Sequence, residues 1–395
     1  MCYKAADFQS LRELDCQPYS REDVARISLP RKAIAKRRSK TREKLTYKAS
    51  GLDISANDRM VEKIQHAMRH TYGPRVLSRA GAFAGLMRLD FRERLLKRHY
   101  RDPVLVAGAD GVGSKLLLGL EHNRIRGLGV DLVAMSVNDV LTIGAEPLFF
   151  LDYVACHKLE PDRIAEIVSG ISDGCRQAGC ALLGGETAEM PALYAPTHFD
   201  LAGFCVGVIE HRRIIDGHRH VEPGDAVIGL ASNGLHSNGF SLVRKAIRPR
   251  SKKSRLAAER LLGEPLAEAL LRPTRIYVKP ILKLLASYRR KRVIRAMAHI
   301  TGGGLADNLL RVIPKDCDVH LSRKWPPIPP IFRLIQKCGV SKKEMDRVFN
   351  MGIGYVLVVR PAFAESILRR LNRLGESAYR IGTIRRGQGR LLRRG

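Results

Sequence analysis

The chain has 395 residues, 45 % of them apolar, with 69 Lys and Arg against 39 Asp and Glu, a formal net charge of +30. That length exceeds one ordinary core and points to two domains, while no apolar run approaches the ~18 residues a membrane-spanning helix needs. So basic a chain raises nucleic-acid binding as a class, but aromatic residues make up only 6 % and no helix-turn-helix, zinc-finger or RNA-recognition pattern accompanies the charge. Specific nucleic-acid binding is therefore not expected, whereas attraction to small anions is. The eight cysteines stand singly, none in a Cys-x-x-Cys pair, which fits reduced thiols in a cytoplasmic protein.

Residues 1–45 lack a sustained apolar pattern and carry a basic run over 29–42. A signal peptide would need an apolar segment, and an organelle presequence would avoid Asp7, Glu13, Asp15, Glu22 and Asp23. The segment reads as a disordered basic extension. The globular part opens near Leu45. Lys48 and Asp53 flank a glycine ahead of a helix in which Met60, Val61, Ile64, Ala67 and Met68 recur at helical spacing. Read alone, the two charges are surface groups. The small-residue loop Ser78–Leu86 contains Gly81 and Gly85, which would let backbone approach a ligand or simply pack a turn.

A strand at Val104–Ala107 then delivers the chain to Gly108-Ala-Asp-Gly-Val-Gly-Ser-Lys115. Asp110 sits among Gly108, Gly111 and Gly113, and Lys115 opens an apolar helix. A second short strand around Leu128–Val130 is expected to end on Asp131, with helical spacing carrying Asn138 and Asp139 beyond it. Glycines that admit phosphates, beside carboxylates that hold a cation, form the layout of a polyphosphate–metal site. The order of Ser114 and Lys115 rules out a P-loop. A structural strand–turn–helix is the alternative.

Ile143–Ala155 reads as a turn and a buried strand, and Pro161–Ala178 as a helix burying Ile164, Ile167, Val168, Ile171 and Cys175. A strand from Cys180 is expected to run into a turn at Gly184-Gly185 that presents Glu186 and Thr187. Leu201–Ile209 is a further strand. Turn signals in 211–225 place a boundary between an N-terminal domain, 46–215, and a C-terminal domain, 216–395. After a strand at Ala226–Ala231, a loop sets His236, Ser237 and Asn238 between glycines, as an acid–base or phosphate-binding group or as a helix cap. A basic connector and one amphipathic helix cover 247–271, and 272–278 approaches a helix from Pro280. Thr301, Gly302 and Gly303 precede a helix at Leu305–Val312, where Thr301 can accept from the first amides and the helix end can hold an anion. A strand ending at Val359, a helix at Phe363–Leu374, a strand at Ala378–Ile384 and a frayed basic tail from Arg385 complete the pattern.

These motifs, collinear from about Leu45 to Thr383, together resemble the phosphoribosylformylglycinamidine cyclo-ligases, or aminoimidazole ribonucleotide synthetases: Tyr47–Ile54, Gly108–Lys115, Gly129–Asp139, Gly144–Tyr153, Gly184–Pro191, Ala202–Gly207, His236–Lys245 and His299–Gly304. The resemblance implies an α/β (α+β) fold of two domains, each a mixed sheet covered by helices, with the N-terminal sheets of a homodimer meeting in a barrel. It implies ATP-dependent closure of the imidazole ring of formylglycinamidine ribonucleotide, with Mg²⁺, in de novo purine synthesis. On that basis Lys48, Lys115, Gly81 and Gly85 neutralise or cover phosphates. Asp110, Asp131 and Glu186 hold Mg²⁺ and nucleotide, with Asp53, Gly111, Gly113, Asn138, Gly184, Gly185 and Thr187 adding contacts. Lys48, His236 and His299 are the catalytic candidates, the two histidines facing substrate beside Ser237, Asn238, Thr301, Gly302 and Gly303. The ATP-binding layout is shared with selenophosphate synthetase, thiamine-monophosphate kinase and a hydrogenase-maturation protein. The first of these usually carries Cys or selenocysteine just before the lysine loop, where this chain has Leu45-Thr46. The glycine loop at 78–86 is poorer in glycine than the resemblance would suggest, and the Arg and Lys load is higher.

Overall fold

The computed structural model describes residues 54–77, 86–88, 100–247, 251–288, 291–323 and 325–393. The expectations for Lys48, Asp53, Gly81, Gly85 and the basic extension lie outside those residues. Two sheets carry the architecture. The first contains β1 (Pro103–Gly111), β2 (Glu146–Cys156), β3 (Ala181–Glu189) and β4 (Phe199–Glu210), in the order β1-β4-β2-β3. Both β1 and β2 run antiparallel to β4, and β3 is parallel to β2. A parallel pair needs a long crossover, here provided by the helix Pro161–Ala178. Pro161 starts that helix, Gly179 ends it at φ 84°, and the apolar face expected from the sequence is buried.

The helix Arg126–Leu141 lies on β1 and β4 and against the 161–178 helix. It buries residues on every side, from Leu128 through Leu141 with Asp139 the exception. The strand expected at Leu128–Val130 is therefore a turn of helix. Burial all round erases the 3.6-residue alternation, and a short apolar run then reads as a buried strand. The two helices touch backbone to backbone. A Cβ at Gly170 would strike the Arg126 carbonyl, and one at Gly129 would strike the Ile167 carbonyl.

The expected turn at Gly184-Gly185 is also absent, because β3 continues through Glu189. Gly185 is small for a packing reason: a Cβ there would collide with the Asp152 carboxylate on the neighbouring strand.

The second sheet contains β5 (Ala226–Ala231), β6 (Ile294–His299), β7 (Cys317–Leu321), β8 (Ile353–Val359), β9 (Ala378–Arg386) and β10 (Leu391–Arg393), ordered β10-β7-β9-β5-β8-β6. The tail is thus not frayed up to Arg393: β10 pairs parallel with β7. The amphipathic helix expected before 271 is two helices, Lys252–Leu262 and Leu266–Leu271, since Gly263 at φ 74° stops the first. One core runs continuously from the inner face of the first sheet (Leu132, Phe150, Ile171) to one face of the second (Ile228, Tyr355, Leu357), and a separate core fills the other face. Among the described residues no helix is long and apolar enough to cross a membrane.

Candidate active site

The seam between the sheets is stitched by side chains from the first dense motif. Lys115 and Asp131 form an ion pair, Nζ to Oδ2 at 2.6 Å, with both side chains fully buried. Lys115 Nζ also donates to the Arg272 carbonyl at 2.9 Å and lies 5.5 Å from the centre of the Phe240 ring. Burial pulls its ammonium below the ordinary lysine value, and Asp131 opposes that pull. Asp131 Oδ1 accepts from the Thr274 amide at 2.7 Å, the Thr274 hydroxyl at 2.6 Å and the Ser237 hydroxyl at 2.9 Å. About two turns further on, Asn138 donates to the Arg275 carbonyl at 2.8 Å and accepts from the Tyr277 amide at 3.0 Å. Lys115, Asp131 and Asn138, expected at phosphates, metal and nucleotide, instead hold the 272–277 strap. Both charged side chains face protein groups rather than solvent.

Asp139, the next residue on the helix, behaves differently. Its side chain is 53 % exposed and its Oδ1 lies 2.8 Å from His299 Nδ1. His299 itself is buried, and its Nε2 has no hydrogen-bond partner. His236 is buried too, sits at φ 62°, and leaves both ring nitrogens unpartnered. A non-glycine residue held in that region is strained, and such strain collects at functional positions. Burial, with His299, Lys115 and Arg275 adding positive charge, holds the His236 imidazole well below its usual pKa and therefore neutral. The histidines expected to face substrate thus stand behind the surface, and Asp139 is the group that meets solvent.

Asp110 lies on β1 with Asp139 and His299 as electrostatic neighbours. Burial raises its pKa, partly offset by the Gly111 amide, which donates to it at 2.7 Å. Gly113 takes φ 66° in the turn before Lys115. Glu186 and Thr187 are on β3, at the far edge of the same sheet. Asp110, Gly203, Asp152 and Gly185 form one row across the strands, so Glu186, one residue on, faces the opposite side. Three strand spacings of ~4.8 Å separate β1 from β3 by about 14 Å. Asp110, Asp131 and Glu186 therefore do not converge within one chain, and no three metal-ligating side chains gather among the described residues.

On the second sheet the expected substrate loops do meet. A Cβ at Gly302 would stand 3.6 Å from Asn238 Oδ1. Gly303 at φ 94° precedes the helix Gly304–Leu310, one residue earlier at its start than expected. Thr301 serves this helix through its carbonyl, which accepts from the Gly304 amide at 3.1 Å, while its hydroxyl lies 3.3 Å from Asn308 Oδ1. The expected side-chain cap is absent because Gly303 takes the N-cap position, and the Thr301 hydroxyl donates to Asn308.

The description "AIR synthase related protein, N-terminal domain" matches residues 96–209, and its C-terminal counterpart matches 222–392. A phosphoribosylformylglycinamidine cyclo-ligase of Myxococcus xanthus is 51 % identical over 87 % of this chain and 97 % of its own length. One from Syntrophus aciditrophicus is 46 % identical over 88 % and 97 %. The chain belongs to the phosphoribosylformylglycinamidine cyclo-ligase family. Among solved structures, the hydrogenase maturation protein HypE in complex with ATP superposes with TM-score 0.59 at 18 % identity, covering 87 % of this chain and 92 % of that one. Thiamine-monophosphate kinase from Stenotrophomonas maltophilia K279a gives 0.58 at 19 %, covering 85 % and 96 %. At those identities the likeness is one of fold.

Within this cyclo-ligase framework, sequence reasoning passed over Asp139, Thr274, Tyr277 and Tyr355. Asp139 lay inside a recognised motif but was given no role. Only the pairing with His299, 160 residues away, marks it. Asp152 was quoted without a role. Burial without a cationic partner pushes its pKa up to about 7.

Proposed function

We infer that the chain closes the imidazole ring of formylglycinamidine ribonucleotide, consuming ATP and releasing aminoimidazole ribonucleotide, ADP and phosphate in de novo purine synthesis. Near-full-length identity to cyclo-ligases carries this reading, and the Asp139–His299 pair at the seam gives it chemistry. An amide oxygen leaves poorly, so the γ-phosphoryl group of ATP first passes to the formyl oxygen. The O–P bond forms there as the bond to ADP breaks. An internal nitrogen then attacks the same carbon, phosphate departs with the former formyl oxygen, and the nitrogen loses a proton. Closure is intramolecular, so the protein's task is mainly to position and to neutralise. Asp139 is placed to take up the proton. His299 orients that carboxylate by donating Nδ1–H to it, a tautomer that the Asp139 contact itself favours.

On the ATP side we place Lys48, Asp53, Gly81, Gly85, Asp110, Gly111, Gly113, Gly184, Gly185, Glu186 and Thr187. On the substrate side we place His236, Ser237, Asn238, Thr301, Gly302 and Gly303. Mg²⁺ would neutralise phosphate charge when bound, but the carboxylates of one chain do not assemble a site for it, and no step is assigned to it. A homodimer fits the same picture. The outer face of the first sheet leaves Leu105 58 % and Phe204 46 % exposed, an apolar surface that a second copy would cover by closing two sheets into a barrel.

ADP release from ATP and formylglycinamidine ribonucleotide by the purified protein tests the reading. Saturable release that depends on both substrates is expected, and its absence overturns the assignment. Release that survives Asp110→Ala or Glu186→Ala at the wild-type rate removes those residues from the ATP side.

A further inference from the structure

Along one row of buried rings behind the Asp139–His299 pair, four polar atoms have no hydrogen-bond partner among the described residues. They are His299 Nε2, the Tyr355 hydroxyl, and both ring nitrogens of His236, each shielded from solvent. His299 on β6 and Tyr355 on β8 are direct cross-strand neighbours, so their side chains share one face of the sheet. Their ring centres are 6.3 Å apart and tilted 33°. Tyr355 is 5.3 Å from Tyr277, and Tyr277 is 6.4 Å from His236, again centre to centre. Gly354, the residue before Tyr355, is small because a Cβ there would collide with the Tyr277 hydroxyl and the His236 ring. The Tyr277 hydroxyl has its own acceptor, the Ala231 carbonyl at 2.9 Å, which leaves the Tyr355 hydroxyl as the one phenol in this row with a proton to offer.

Buried polar groups in folded proteins are nearly always hydrogen-bonded, to protein or to ordered water, and a single water satisfies two to four such partners. Direction follows from the histidine. With the Asp139 carboxylate accepting from Nδ1, the neutral His299 ring carries its proton there and Nε2 can only accept. The Tyr355 O–H is a donor of the complementary sense.

We propose that Tyr355 is a positioning residue of the cyclo-ligase site: through one bridging water shared with His236, its hydroxyl donates to His299 Nε2 and locks His299 in the tautomer that presents Nδ1–H to Asp139. This rests on the ring-closing function inferred above. A donor hydrogen-bonded to Nε2 occupies the lone pair that a second ring proton would need. The titratable and charged groups facing His299 are Asp139 from the 126–141 helix, Asp110 from β1, His236 from its loop, and Tyr355 from β8. Lys115, Arg275 and Tyr277 stand one residue further off, around His236.

Tyr355→Phe removes only the hydroxyl from a fully buried ring. The expected result is a kcat about five- to tenfold lower with KM little changed, roughly what one hydrogen bond is worth. The acid limb of the kcat/KM profile should move up by about half a pH unit to one unit. A purely structural role would lower the melting temperature and leave that limb in place, and an unchanged kcat with an unchanged limb overturns the proposal. The ring ¹⁵N spectrum of His299 in the wild-type protein is a second measurement that needs no variant. A single Nδ1–H form supports the proposal, and an Nε2–H form refutes it. Absence of ADP release by the wild type would sink the functional reading, whereas the ¹⁵N tautomer would still decide the hydrogen bond.

Discussion

Two places in this molecule bring charged or titratable side chains together in the dark, and they differ in what is left over. At the Lys115–Asp131 seam the two charges answer each other: the ammonium meets a carboxylate and a carbonyl, and the carboxylate meets that ammonium, an amide and two hydroxyls. At the His236–Tyr355–His299 row the rings are spaced 5.3–6.4 Å centre to centre through Tyr277, and four polar atoms remain without partners among the described residues. A saturated cluster holds parts together, while an unsaturated one has capacity to bind or to move a proton. Both clusters come from motifs that read alike in the sequence, and only the count of unanswered hydrogen bonds separates them.

The largest test of that contrast is Asp131→Ala. It would strand the Lys115 charge and three donors, and loss of a buried ion-pair partner costs about 3–5 kcal/mol. Urea denaturation should show this loss, and a stability within 1 kcal/mol of wild type, roughly the worth of an exposed pair, would refute the structural role. Next comes Asp152, a buried acid of neither kind, because it has no cation and no catalytic neighbour. Its folded pKa of about 7 lies above the ordinary carboxyl value of 3.8, so the folded state binds the extra proton. Its contribution is therefore fully present below about pH 4 and is lost as pH rises toward 7. Asp152→Asn should flatten that slope and stabilise the protein at pH 8 by on the order of 3 kcal/mol, with little effect at pH 4. Melting temperatures measured across pH would reveal an unchanged slope if the burial argument is wrong. Asp139→Asn sharpens the other side: kcat should fall about 100-fold, the scale of a lost proton acceptor. Because the side chain is half exposed, thermal stability should barely move. The smallest effect is expected from Asn138→Ala, about 1–3 kcal/mol for two lost strap contacts. A drop in kcat beyond what the unfolded fraction explains would show that the strap also tunes the site.

The sequence disclosed elements whose burial is one-sided. The 161–178 helix was legible because its apolar stripe, its proline start and its glycine end agree. The 126–141 helix was mistaken for a strand at its start because it is enclosed on all sides and shows no stripe. Gly184-Gly185 imitated a turn, although the small residue answers the Asp152 side chain on the next strand. In the site, the histidine loops stood out by their glycines. The strap partners of Lys115, Asp131 and Asn138 did not, because they lie in 272–277, more than 100 residues distant. A carboxylate near phosphate-like glycines suggests a metal until an ammonium is seen against it.

The backbone contact at Gly129 and Gly170 now takes on a wider meaning. The 126–141 helix carries the seam acid, the strap amide and the proposed proton acceptor at 131, 138 and 139, like three pegs on one rod. Its neighbour grips that rod with no side chain between them. Any displacement at the grip would move all three pegs together, so the helix fixes the spacing between them while the clamp sets where the whole rod stands.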